Sequence, residues 1–81
     1  MGAHRVTLIG KPDCHLCDDA RAVVERIAAE VGGVEGEERS ILDEPELRER
    51  YAEEIPVVLI DGAQHTYWRV DAERLRAALA R

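Results

Sequence analysis

The only two cysteines of this 81-residue chain, Cys14 and Cys17, stand three positions apart between an apolar run and an amphipathic stretch. Two sulfurs at that spacing on the first turn of a helix can close a small disulfide ring and reopen it without unfolding the protein. The chain must therefore deliver them where a strand gives way to a helix. Ahead of them, Val6-Thr7-Leu8-Ile9 is apolar and rich in β-branched residues, and it is closed by Gly10 and Pro12. That composition suits a strand at 4–9 buried on both faces. Behind them, apolar residues at 16, 20, 23, 24, 27, 28 and 31 keep to one helical face until Gly32-Gly33 stops it. The pattern predicts a helix over 15–31. Asp13 is the expected N-cap, which leaves Cys14 near the positive end of the helix.

The remaining segments complete the scaffold. Val34 to Leu42 carries Glu35, Glu37, Glu38 and Arg39, so only Val34, Ile41 and Leu42 are candidates for burial, as on an edge strand. Asp43-Glu44-Pro45-Glu46 is a helix start, with Asp43 as cap and the helix running to about Glu54, Leu47 and Tyr51 turned inward. Pro56 precedes a strand at Val57–Ile60, a turn at 61–64 and a second strand at 65–70, which together make a hairpin. Tyr67 and Trp68, being adjacent, are expected on opposite sides of that strand. Asp71 can cap a last helix along which Leu75, Ala78 and Leu79 recur. The order β-α-β-α-β-β-α is of the α/β class: one domain over residues 1–81, with a four-stranded mixed sheet covered by helices.

Composition narrows the function. A formal charge of -6 spread along the chain argues against nucleic-acid and anionic-membrane partners. No run of about 18 apolar residues is present to span a bilayer. The first residues do not form a secretory signal, so a cytoplasmic protein is expected. In that reducing setting a lone Cys-X-X-Cys is more often catalytic or metal-binding than structural. Zinc would need two further ligands, and His4, His15 and His65 lack the spacing of a second pair, so no metal or cofactor is expected. His15 either tunes Cys14 or is simply solvated. His4 and His65 read as surface strand residues.

In Lys11-Pro12-Asp13-Cys14-His15-Leu16-Cys17, Asp43-Glu44-Pro45-Glu46-Leu47, Glu54-Ile55-Pro56-Val57-Val58 and Val70-Asp71 followed by Leu75, the chain resembles the small bacterial glutaredoxin-like proteins, a minimal form of the thioredoxin-like fold. The resemblance implies that Cys14 is the nucleophile, Cys17 the resolving thiol and Pro56 a cis-proline facing the disulfide. It also makes Lys11 the counterpart of a glutathione-contacting lysine. Two departures stand out. His15-Leu16 replaces the usual Pro-Tyr interior, and Trp68-Arg69 replaces a glycine pair ahead of the aspartate, here Asp71, that holds the glutamyl end of glutathione.

The expected protein is a monomeric dithiol oxidoreductase acting on protein or small-molecule disulfides and recycled by glutathione or a thioredoxin-reductase type of system. Lys11, His15, Ile55, Pro56 and Asp71 would contact substrate, the backbone of Ile55 pairing with an extended segment. Three nearby carboxylates, Asp13, Asp18 and Asp19, oppose Lys11 and the helix start, so a moderately activated Cys14 thiolate is expected. Weak glutathione affinity is expected as well, because Trp68-Arg69 puts bulk where a ligand needs to approach backbone. The alternatives are a non-catalytic binding module of the same fold and a carrier of metal or an iron–sulfur cluster.

Overall fold

The computed structural model describes residues 4–80. Strand β1 (His4–Gly10) leads into helix α1 (His15–Val31), strand β2 (Val34–Ser40), helix α2 (Pro45–Tyr51), the hairpin β3 (Val57–Ile60) and β4 (Ala63–Tyr67), and helix α3 (Ala72–Leu79). The sheet order is β2-β1-β3-β4. β1 lies parallel to β2, as a helical crossover requires, and antiparallel to β3, with Ile9 opposite Val57.

Alternation along the central strands divides the core. Val6, Leu8 and Val58 pack with Ala20, Val24 and Ile27 of α1 and with Leu75 and Leu79 of α3. On the opposite face Ile9 and Val57 pack with Ile41 and Tyr51. Because α2 has only seven residues, it covers one end of that second face. The rest is a hollow of about 450 Å³ lined by Arg5, Thr7, Glu37, Leu59 and Asp61 among others. There the Thr7 hydroxyl donates to Glu37 at 3.2 Å. That bond, then the one from Arg39, together with the charges of Arg39 and Arg5, holds the Glu37 carboxyl below the usual carboxylate range.

Several local expectations are corrected. Asp13 does not cap α1: it adopts a left-handed φ of 58°, and the extended residue at the helix entry is Cys14, whose sulfur accepts from Cys17 N–H. Asp43 does not cap α2, because Pro45 forces the residue before it out of the helical region and makes Glu44 the N-cap. That helix ends at Tyr51 rather than Glu54. Leu42 lies past the end of β2 and is 60% exposed, so Ile41 alone of that pair reaches the core.

The hairpin is tighter than expected. Asp61 and Gly62 both take positive φ, as the favoured two-residue turn demands, so β4 begins at Ala63. A bulge then lets two steps of β4, Gln64 to Thr66, oppose one step of β3, Leu59 to Val58. β4 ends at Tyr67 because Trp68 turns left-handed, at φ 66°. Tyr67 and Trp68 consequently do not face opposite sides: their rings meet edge to face, 5.0 Å apart.

Candidate active site

Cys14 and Cys17 form a disulfide across the first turn of α1, with Cα atoms 5.2 Å apart. The two are not equivalent. Cys14, the N-cap, is half-buried, whereas Cys17 is 1% exposed. Cys17 N–H donates to the Cys14 sulfur at 3.2 Å, so an unpaired helix donor points at the more accessible sulfur.

The sheet fixes this turn from below. A Cβ built on Gly10, the last residue of β1, would stand 2.9 Å from the Cys17 sulfur and 3.2 Å from its Cβ. Only glycine lets the strand pass so close. Gly10 is itself held, its carbonyl accepting from Ile41 N–H at 2.9 Å. The sequence marked Gly10 merely as the end of a strand. Its closeness to Cys17 is a tertiary contact with no separate sequence signal.

Antiparallel pairing brings the next element in. One step beyond the Ile9–Val57 pair stand Gly10 on one strand and Pro56 on the other, so Pro56 reaches the cysteine end of the sheet. Pro56 is buried and its bond to Ile55 is cis. Among the described residues, neither the N–H nor the carbonyl of Ile55 has a backbone partner.

Trp68 closes the arrangement. Its N–H donates to the Pro56 carbonyl at 2.8 Å, with a longer bond to Glu54 at 3.3 Å, and its indole N–H donates to the Glu53 carbonyl at 3.0 Å. A bulky residue at positive φ costs on the order of 1–3 kcal/mol, and these three bonds hold it there. A left-handed backbone, which glycine adopts most readily, is thus supplied here by a tryptophan. Trp68, 51% exposed, forms one wall of a hollow of about 190 Å³ with Arg69 and Val70, facing Leu16, Asp19, Ala20 and Val23 of α1. Leu16, read as part of the helix's inner face, is instead 41% exposed here.

Lys11, His15 and Asp71 do not line the Trp68 hollow. Lys11 is exposed and lines a separate hollow with Arg21, Glu38, Arg39 and Asp43, sharing no residue with the Trp68 hollow. His15 is exposed beside Asp13 and Asp18. Asp71 caps α3, its Oδ1 accepting from Glu73 N–H at 2.9 Å and Arg74 N–H at 3.2 Å. His4, expected at the surface, sits with Nδ1 2.6 Å from Asp61. Among the described residues no group of three His, Cys, Asp or Glu side chains could hold a metal, and no helix is long and apolar enough to cross a membrane.

A mixed sheet flanked by helices, with a cysteine pair at the β1–α1 junction and a proline at the entry to β3, defines the thioredoxin-like fold. A chloroplastic thioredoxin z, 15% identical, superposes with a TM-score of 0.77 over 95% of this chain and 75% of that one. The family description "glutaredoxin-like domain (DUF836)" matches residues 5–80, and the chain belongs to that family. The X-ray structure of protein XcR50 from X. campestris is 32% identical, with a TM-score of 0.74 over 91% of this chain and 93% of that one. An alkylhydroperoxide reductase of Enterococcus faecalis is 30% identical, with a TM-score of 0.79 over 98% of this chain but 38% of that longer chain.

Proposed function

We propose that this protein is a dithiol thiol–disulfide oxidoreductase working through Cys14 and Cys17 on protein or small-molecule disulfides. The observation that carries the reading is the inequality of the two sulfurs: Cys14 half-buried at a helix N-terminus, Cys17 sheltered one turn in. Helix polarity and the Cys17 N–H favour a thiolate at Cys14. In the reduced protein that thiolate attacks one sulfur of a substrate disulfide, forming a mixed disulfide and expelling the other sulfur as a thiolate that takes a proton. Cys17, as thiolate, then attacks the Cys14 sulfur. This closes the internal disulfide and releases the second substrate thiol, so two electrons pass from protein to substrate.

An external dithiol or a reductase must return those two electrons, which suits a reducing cytoplasm. Family membership supports the reading, as does likeness over 98% of the chain to part of a protein named as a reductase. Substrate would lie across Ile55 and Pro56, where an extended segment could pair with the Ile55 backbone. The test is to trap partners with Cys17→Ser, which should stall at the mixed disulfide, while Cys14→Ser should trap nothing. Both thiols staying free to alkylation after mild oxidation of the folded protein would sink the proposal.

A further inference from the structure

Resting on the redox reading above, we propose that the Trp68 hollow receives an apolar side chain of a polypeptide substrate beside its reacting disulfide, so that the Cys14–Cys17 pair selects protein disulfides over glutathione disulfide. Neither cysteine lines the hollow, but each wall is tied to the candidate site: Leu16 lies between the cysteines in sequence, and Trp68 is bonded to the carbonyl of Pro56. Leu16, Ala20, Val23, Val70 and the indole give it an apolar lining. Its two charges, Asp19 and Arg69, come from opposite walls and are in no ion pair among the described residues, so they offset one another in the approach of a charged ligand.

Three features favour a polypeptide. Trp68 is half exposed, yet its ring is pinned by the indole N–H to Glu53 and packed on Tyr67, so an incoming side chain meets a wall that is already ordered. The Ile55 backbone, without a backbone partner among the described residues, offers a donor and an acceptor to an extended main chain. At the start of α3, the Glu73 and Arg74 N–H groups that could hold a ligand carboxylate are taken by Asp71. The net charge of -6 further opposes an anionic tripeptide disulfide.

The experiment measures reduction rates by the wild-type dithiol protein on four substrates. These are bis(2-hydroxyethyl) disulfide, glutathione disulfide, and two short peptide disulfides identical except for leucine or serine beside the cysteine. The neutral disulfide reads the chemistry alone, and no reaction with it would overturn the redox reading and this proposal together. The leucine peptide should react about tenfold faster than the serine peptide, the scale of one apolar side-chain contact, and faster than glutathione disulfide. Trp68→Gly, which suits the positive φ at that position, should bring the leucine-to-serine ratio close to one. Equal rates for the two peptides in the wild type, or saturable glutathione disulfide reduction outrunning the leucine peptide, would overturn the proposal while leaving the redox reading in place.

Discussion

Adding one methyl group at Gly10 is the sharpest probe of how the sheet holds the cysteines. In Gly10→Ala the new Cβ would lie 2.9 Å from the Cys17 sulfur and 3.2 Å from the Cys17 Cβ, so something must move by several tenths of an ångström. Neither side retreats easily. The sulfur is tied to Cys14, the Cβ belongs to the first turn of α1, and Gly10 is anchored by its register with Ser40 and its bond to Ile41. Overpacking of this kind costs about 1–3 kcal/mol. In a domain of this size each kcal/mol shifts Tm by roughly 4–8 °C. Thermal and urea unfolding of the oxidised protein measure the loss. Repeating the substitution in a Cys17→Ala background removes the sulfur but keeps the Cβ contact, so a smaller loss is expected there, with a coupling of about 0.5–3 kcal/mol between the two sites. Gly10→Ala within about 0.5 kcal/mol of wild type, or the same loss with and without the sulfur, would refute the close approach as the reason for glycine.

In the reduced protein Cys14 should be alkylated faster than Cys17, since only Cys14 is accessible at the helix start; equal rates across pH would remove the assignment of nucleophile and resolving thiol. Asp71→Ala should destabilise the protein by about 1 kcal/mol through loss of the α3 cap, read by urea unfolding, and should do so without any substrate present. His65 is half-buried, and burial first, then the charge of Arg74, lowers its pKa below the ordinary 6.5. Its folded pKa lies below the unfolded one, so its contribution is complete above about pH 6.5 and is lost as pH falls toward the folded value. His65→Gln should therefore flatten the decline in stability between about pH 7 and 5, and an unchanged slope would count against the desolvation. Thr7→Val removes the leading contact that lowers the Glu37 carboxyl, so NMR titration should show Glu37 moving up toward the usual range.

The chain itself determined the order of elements, because each is written in a local period: the 3.6-residue recurrence that sets α1 at residues 15–31, the β-branched run of β1, and the Asp61-Gly62 signal for the hairpin. It also placed Cys14 and Cys17 on one helical turn, since three residues of separation leave little else for a helix start. Resemblance, not periodicity, pointed to a cis bond before Pro56. Element ends were less legible where two local signals compete, as when Pro45 moved the cap from Asp43 to Glu44. What only the tertiary structure decided are contacts between segments distant in sequence. Gly10 reads as punctuation until α1 folds back over β1 and leaves no room for a Cβ. Trp68 reads as a strand residue until the carbonyls of Glu53, Glu54 and Pro56 hold its left-handed turn and stand it beside Leu16. Asp71 reads locally as the cap of α3, and its Oδ1 does accept from the Glu73 and Arg74 N–H groups, whereas the hollow that Lys11 lines is shared with residues as distant as Asp43. Local propensity acts over a few residues, whereas these placements depend on which side chains the sheet register and the helix crossover bring within contact.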